Sequence, residues 1–200
     1  MRIYKIIENT AVEGPGKRFC IWLQGCSKHC KGCFAVETWD YDAGEEYGTK
    51  KLMEMIKSQK DIEGVTFLGG EPFDQSEELA KLAKKIKKNN LSIVCFTGYK
   101  IEELKAKNDK SVNELLGTID LLIDGGFEKD KFDLSRPWVG SSNQRYIYLS
   151  DRYNKKEIMK YKNKIEVHID SDGKMEINGM GDFNKLKNDF CLQLTQNNVK

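Results

Sequence analysis

The sequence lacks a charge excess. Lys and Arg number 33 against 31 Asp and Glu, a formal net charge of +2, so nothing in the composition draws the chain to nucleic acid or another polyanion. It lacks any apolar run near the roughly 20 residues that a membrane-crossing helix needs. Residues 1–25 carry Glu8, Glu13, Lys17 and Arg18 and no apolar signal core, so export is not expected. No internal repeat or low-complexity linker divides the 200 residues. That length suits one compact domain with its own core. The expectation is a cytoplasmic chain in a reducing compartment, where clustered cysteines more often hold metal than pair.

A fourth cysteine is lacking where one would close a zinc tetrahedron. The stretch QGCSKHCKGC, residues 24–33, puts Cys26, Cys30 and Cys33 within eight residues. Thiolates hold zinc or iron–sulfur clusters. A 4Fe-4S cube on three cysteines leaves one iron open to a small chelating ligand, which makes a cluster catalytic rather than only an electron relay. Zinc completed by His29 or Cys20 is the alternative. His29 is locked between two ligands and reads as a spacer. Cys20, Cys95 and Cys191 read as small buried or tail residues.

Short apolar strands alternate with helical segments. Strands are expected over 2–7, 17–23, 64–68, 91–96, 119–124 and 145–150, and a hairpin over 164–178 turning at Ser171-Asp172-Gly173. Helices are expected over 50–57, 74–88 and 154–162, with two short ones at 100–105 and 112–117. In the second, Asp74 and Glu77 match a capping box, and Leu79, Leu82, Ala83 and Ile86 form one apolar stripe. Alternation of this kind indicates parallel βαβ units, whose ligands sit at the C-terminal ends of strands. The cysteine loop, GGEP (69–72), TGY (97–99) and DGG (124–126) each follow a strand, so one rim would carry all four. The division expected is a single domain over 1–200, with a core to about 150 and a C-terminal helix, hairpin and polar tail over 151–200.

A C-x-x-x-C-x-x-C loop after a strand, with GGEP after the next, resembles the radical S-adenosylmethionine (SAM) superfamily. AVEGPGKRFCIWLQGCSKHCKGCFAVETWD (11–40) resembles the N-terminal signature of glycyl-radical-enzyme activases. DLLIDGGFEKDKFDLSRPWVGSSNQRYI (120–147) resembles those of the anaerobic ribonucleotide reductase type. The resemblance implies an α/β fold, a partial, laterally open (β/α)6-type TIM-like barrel with a C-terminal β-hairpin. It implies a 4Fe-4S cluster on Cys26, Cys30 and Cys33. SAM would chelate the open iron and break, on reduction, into methionine and a 5′-deoxyadenosyl radical that takes hydrogen from a glycine of a partner enzyme.

Site roles carried over by the resemblance place SAM against Gly32, Phe34, Gly69, Gly70, Glu71, Pro72, Thr97, Asp124 and Arg145. Gly69 and Gly70 would let backbone carbonyls approach the SAM ammonium, and Glu71 would accept from it. In some activases an acidic residue at the place of Asp124 helps bind a monovalent cation beside SAM. The second acidic residue of that site, expected near Phe96 and Thr97, is missing. Asn143 and Gln144 also match the family stretch. Gly14-Pro15-Gly16 is either a turn or lies near the incoming glycyl loop. The partners implied are a glycyl radical enzyme and a flavodoxin or ferredoxin as electron donor.

Blander readings stand beside these. Asp124 before two glycines also suits a turn. The lysines of 81–88 read as a solvated helix face, with docking of an acidic electron donor as the sharper alternative. Trp22, Trp39, Trp138 and His168 read as packing residues. A radical SAM enzyme acting on a small peptide or small molecule shares the cluster and the GGEP turn. A non-catalytic metal module is the alternative of another class.

Overall fold

The computed structural model describes residues 1–169, 171–173 and 175–181. Most of the expected polar tail, Cys191 included, lies outside the described residues. In chain order the elements are β1 (Arg2–Thr10), β2 (Arg18–Leu23), β3 (Glu45–Glu46), α1 (Thr49–Ser58), β4 (Gly64–Gly69), α2 (Ser76–Lys88), β5 (Ser92–Thr97), α3 (Ile101–Ala106), α4 (Lys110–Leu116), β6 (Leu121–Asp124), β7 (Arg145–Tyr148), α5 (Lys155–Ile158), β8 (Ile165–Ile169) and β9 (Met175–Gly179). Seven strands form one sheet in the order β3-β1-β2-β4-β5-β6-β7. The run β2-β4-β5-β6 is parallel. The outer pairs, β1 with β2, β1 with β3 and β6 with β7, are antiparallel. The repeat that sets a shared rim is therefore four strands long, and the first and last expected strands run the other way. β8 and β9 pair antiparallel in a second, two-stranded sheet.

Side-chain alternation sorts the parallel strands into two faces. Phe19, Ile21 and Leu23 of β2 join Val65, Phe67, Ile93, Cys95 and Leu122 in a core covered by Leu52, Met53 and Ile56 of α1 and the α2 stripe. On the other face, Val94, Leu121 and Ile123 pack under Trp138, Val139, Tyr153 and Ile158. Coverage on both sides explains why these strands are nearly continuous in apolar residues.

The α2 stripe is where the spacing places it, since Leu79, Leu82, Ala83 and Ile86 are all buried. Its start differs from expectation. A 3-10 turn, Pro72–Gln75, precedes the helix, and Gln75 at the N-cap makes no side-chain capping bond. Asp74 lies inside that turn, and its carboxylate is engaged by Ser27 instead. No capping box forms, because the turn uses the residues that would have opened the helix. The last expected helix is also shorter, four residues at Lys155–Ile158 with Asn154 as cap. Of the α2 lysines, Lys81, Lys84 and Lys87 pair with Glu77, Glu114 and Asp120.

Candidate metal centre

Four parallel strands end side by side, and the loops that leave them are stitched together. The backbone N–H of Glu71, after β4, donates to the carbonyl of Gly25, after β2 (2.9 Å). Gly70 permits that approach, because a Cβ there would lie 2.1 Å from the Gly25 oxygen. The Glu71 carboxylate then reaches the loop after β5. It accepts the Thr97 hydroxyl (2.8 Å) and the Gly98 N–H (2.8 Å), besides the Phe73 N–H of its own turn (3.0 Å). The next link runs from the Gly125 N–H, after β6, to the Tyr99 carbonyl (3.0 Å). Gly126 closes the ring, where a Cβ would sit 3.2 Å from Cys30 Sγ. The four loops that the sequence places on one rim meet there.

The thiols are set by donors as well as by chain path. The backbone groups of His29 and Lys28 favour the thiolate at Cys26, and that of Phe127 favours it at Cys30. Cys33 Sγ accepts from Ala35 N (3.4 Å). Burial pushes the Cys26 and Cys30 thiols up, and these backbone groups oppose it. Aimed N–H donors stabilise thiolate sulfur and tune a cluster it holds. Among the described residues no three His, Cys, Asp or Glu side chains are placed to hold one metal ion. A cube of four irons takes each cysteine on a separate iron, so its ligands need not converge on one point. The donor set fits an iron–sulfur cluster. His29 takes a positive φ of 42° and stacks on Trp39 with ring centroids 4.5 Å apart. Cys20 and Cys95 are fully buried in the sheet.

The other expected site residues divide into two groups. Gly32 and Phe34 are open beside the loop; Phe34 is 63% exposed and meets the edge of Phe127. Gly69 and Pro72 form the turn around Glu71. Glu71 and Thr97 bond each other, and burial pushes the Glu71 carboxyl up to about 7. Asp124 and Arg145 are likewise paired. Asp124 is fully buried, accepts the Ile101 N–H (2.8 Å), and takes two bonds from the Arg145 guanidinium (2.9 and 2.6 Å). Arg145 also pairs with Glu102, and these carboxylates hold its proton more tightly still. Gly14-Pro15-Gly16 precedes β2 at the opposite end from the rim, where the Pro15 carbonyl accepts from Arg18 (3.0 Å).

The family model described as 4Fe-4S single cluster domain matches residues 12–147, from the loop before β2 to the middle of β7. The chain belongs to this 4Fe-4S single-cluster family. The family stretch contains all three cysteines of the triplet, GGEP, Thr97, Asp124 and Arg145, and it ends before β8. A relative from Pasteurella multocida, an anaerobic ribonucleoside-triphosphate reductase-activating protein, is 35% identical over 150 residues, 71% of this chain and 93% of the relative. Proteins of the same name from Enterobacteria phage T4 and Escherichia coli K12 are 33% and 32% identical, covering 85% and 89% of their lengths and 67% and 66% of this chain. The likeness to reductase-activating proteins read from residues 11–40 and 120–147 holds over most of those relatives. A crystal structure of QueE from Escherichia coli overlays on 48% of this chain and 52% of that one, at a TM-score of 0.41 and 21% identity, too partial to carry an argument.

Two features escaped the sequence. Asp74 read as a helix cap and is instead a loop clamp. Arg18, Thr66, Ser92 and Tyr153 form a buried polar set toward the N-terminal ends of the parallel strands, away from the rim. Only pairing of strands distant in sequence brings that set together.

Proposed function

We propose that the chain is a radical SAM activase that installs a glycyl radical on an anaerobic ribonucleotide reductase. The observation that carries this reading is the meeting of the three-cysteine loop with the turns after β4, β5 and β6 on one rim. Cys26, Cys30 and Cys33 hold the 4Fe-4S cluster, and no residue beyond cluster and SAM is assigned to the chemistry. When bound, the cluster supplies the electron that splits SAM into methionine and the 5′-deoxyadenosyl radical that takes hydrogen from a partner glycine.

The chain's own residues bind and orient. Gly32 and Phe34 flank the last ligand and offer SAM an open, apolar edge. Gly69, Gly70 and Pro72 shape the turn that SAM approaches. Glu71 and Thr97 hold the turn after β4 to the loop after β5; Oε1 of Glu71 already accepts from Thr97 and Phe73, and Oε2, with Gly98 as its partner, keeps lone-pair capacity for a cation. Asp124 and Arg145 form the far wall. The guanidinium already neutralises Asp124, so activity is expected without an added monovalent cation. We take residues 1–200 as one radical SAM domain and the sheet as its partial, open barrel, with a flavodoxin or ferredoxin as electron donor in the cytoplasm. No helix among the described residues is long and apolar enough to cross a membrane.

The test mixes reduced protein, SAM and the reductase without oxygen and records the electron paramagnetic resonance spectrum. A glycyl doublet is expected, and Ala at Cys26, Cys30 or Cys33 removes both it and deoxyadenosine formation. SAM cleavage with no doublet would refute the activase reading and leave another radical SAM substrate. A Cys26→Ala protein that still makes deoxyadenosine would refute the ligand set.

A further inference from the structure

The residue beside the first cysteine of the triplet is held by a carboxylate. Asp74 accepts the Ser27 backbone N–H through Oδ2 (2.8 Å) and the Ser27 hydroxyl through Oδ1 (2.9 Å). Tyr41 donates its hydroxyl to Oδ2 (2.5 Å). The Tyr41 ring lies against Gly25, where a Cβ would meet ring carbon Cδ1 at 2.4 Å, and Gly25 itself turns at a φ of +91°. The Ser27 hydroxyl also stands 3.0 Å from that of Tyr99, in the loop after β5. Gly25, Cys26 and Ser27 are thus gripped by three side chains from three separate segments.

Asp74 therefore does more than complete a turn. Cys26 is only 9% exposed, and Asp74, at the solvent edge, is fixed to the residue next to it, so its charge acts on the cysteine at short range. Of the nearby cations, Lys28 stands over the Tyr99 ring (4.2 Å) and 3.8 Å from Glu103, and its charge acts on Cys30; Lys107 also lies over the Tyr99 ring (3.7 Å). Adding an electron to a cluster beside a fixed negative charge is disfavoured, and net charge near a cluster is one of the levers on its potential.

We propose that Asp74 is a positioning residue for the iron–sulfur cluster: it clamps the Cys26 loop and places a negative charge that lowers the cluster's reduction potential. This rests on the reading that Cys26, Cys30 and Cys33 hold the cluster. It gives the chain a built-in means of making the reduced cluster a strong electron donor, independent of the SAM contacts.

The experiment is an anaerobic redox titration of the cluster-loaded full chain, followed by visible absorbance and by the paramagnetic signal of the reduced cluster. Asp74→Asn keeps the size and removes the charge. Its iron and sulfide content should match the parent. Its reduced-to-oxidised ratio at a fixed potential should rise about threefold or more, which is about 30 mV at 59 mV per decade for one electron. Asp74→Glu should keep the parent potential, and so should Glu114→Gln, which removes a carboxylate paired with Lys84 on the helices. An unmoved Asp74→Asn midpoint, or an Asp74→Glu shift as large as that of Asp74→Asn, would overturn the proposal. Should Asp74→Asn fail to retain iron, Tyr41→Phe decides. It strips one donor from Asp74 and leaves its charge less compensated, so the midpoint should move down, and no shift or an upward one would overturn the proposal. A parent protein that holds no iron and sulfide would instead overturn the cluster reading, and this proposal with it. A loaded parent with an unmoved Asp74→Asn midpoint overturns only the role of Asp74.

Discussion

Glu13 is a carboxyl that water does not reach. It is 3% exposed, and burial pushes its pKa up to about 8 from an ordinary 4.5, against the lowering effects of the Gly179 N–H and the Lys5 charge. Below pH 4.5 the folded and unfolded chains are both protonated at this residue, and above about 8 both are ionised. Between those limits the folded chain keeps a proton that the unfolded chain has released, so stability falls as pH rises through the window. Glu13→Gln removes that slope. Urea unfolding at pH 6 and pH 8 should show the parent losing roughly 2 to 3 kcal/mol relative to the variant. Parallel losses would refute it. Glu71 follows the same sign through a narrower window, up to about 7. In the sequence Glu13 and Arg18 read only as charges that interrupt a signal core. Burial of a charged residue leaves no periodic mark, because its neighbours come from other strands.

At the scale of elements, the turn after β4 is locked into the cysteine loop by backbone contact. Gly70→Ala would bring a Cβ to 2.1 Å from the Gly25 carbonyl, and that neighbour is backbone with no flexible end to yield. The expected result is a protein with parental far-ultraviolet dichroism that binds several-fold less iron after reconstitution, since the helices start beyond the turn. Parental iron content would show that the two loops move independently. Element existence was legible almost throughout, because β2, β4, β5 and α2 are long and strongly patterned. β3 was not, since two glutamates carry no alternation. The directions of β1 and β7 were also hidden, because a strand has the same residue pattern whichever way it runs.

For the whole molecule, Arg18 ties distant segments at the end of the parallel strands opposite the rim. It is fully buried and bonds Pro15, Thr66, Val65, Ser92 and Tyr153, with no carboxylate among these partners. Tyr153 extends the set to Glu63 (2.6 Å). A planar five-donor fork satisfies this geometry, and an ammonium does not. Arg18→Lys should cost about 2 to 4 kcal/mol in urea unfolding. A loss under about 1 kcal/mol would mean that water or a shifted lysine replaces the fork. The same tie keeps β2, β4 and β5 in register, and so keeps their C-terminal loops level with one another.

The sequence by itself determined the cysteine spacing, the strand–helix alternation and the family, because each is written in residues close along the chain. Local chemistry also settled that the polar, glycine-rich loops fall after strands. Tertiary structure alone decided which groups those loops leave free. Asp124 meets Arg145, Glu71 meets Thr97, and Asp74 turns from the helix to Ser27. Those pairings follow from parallel strand register and loop packing, which bring together residues 20 to 50 positions apart, and no pattern within a single segment encodes them.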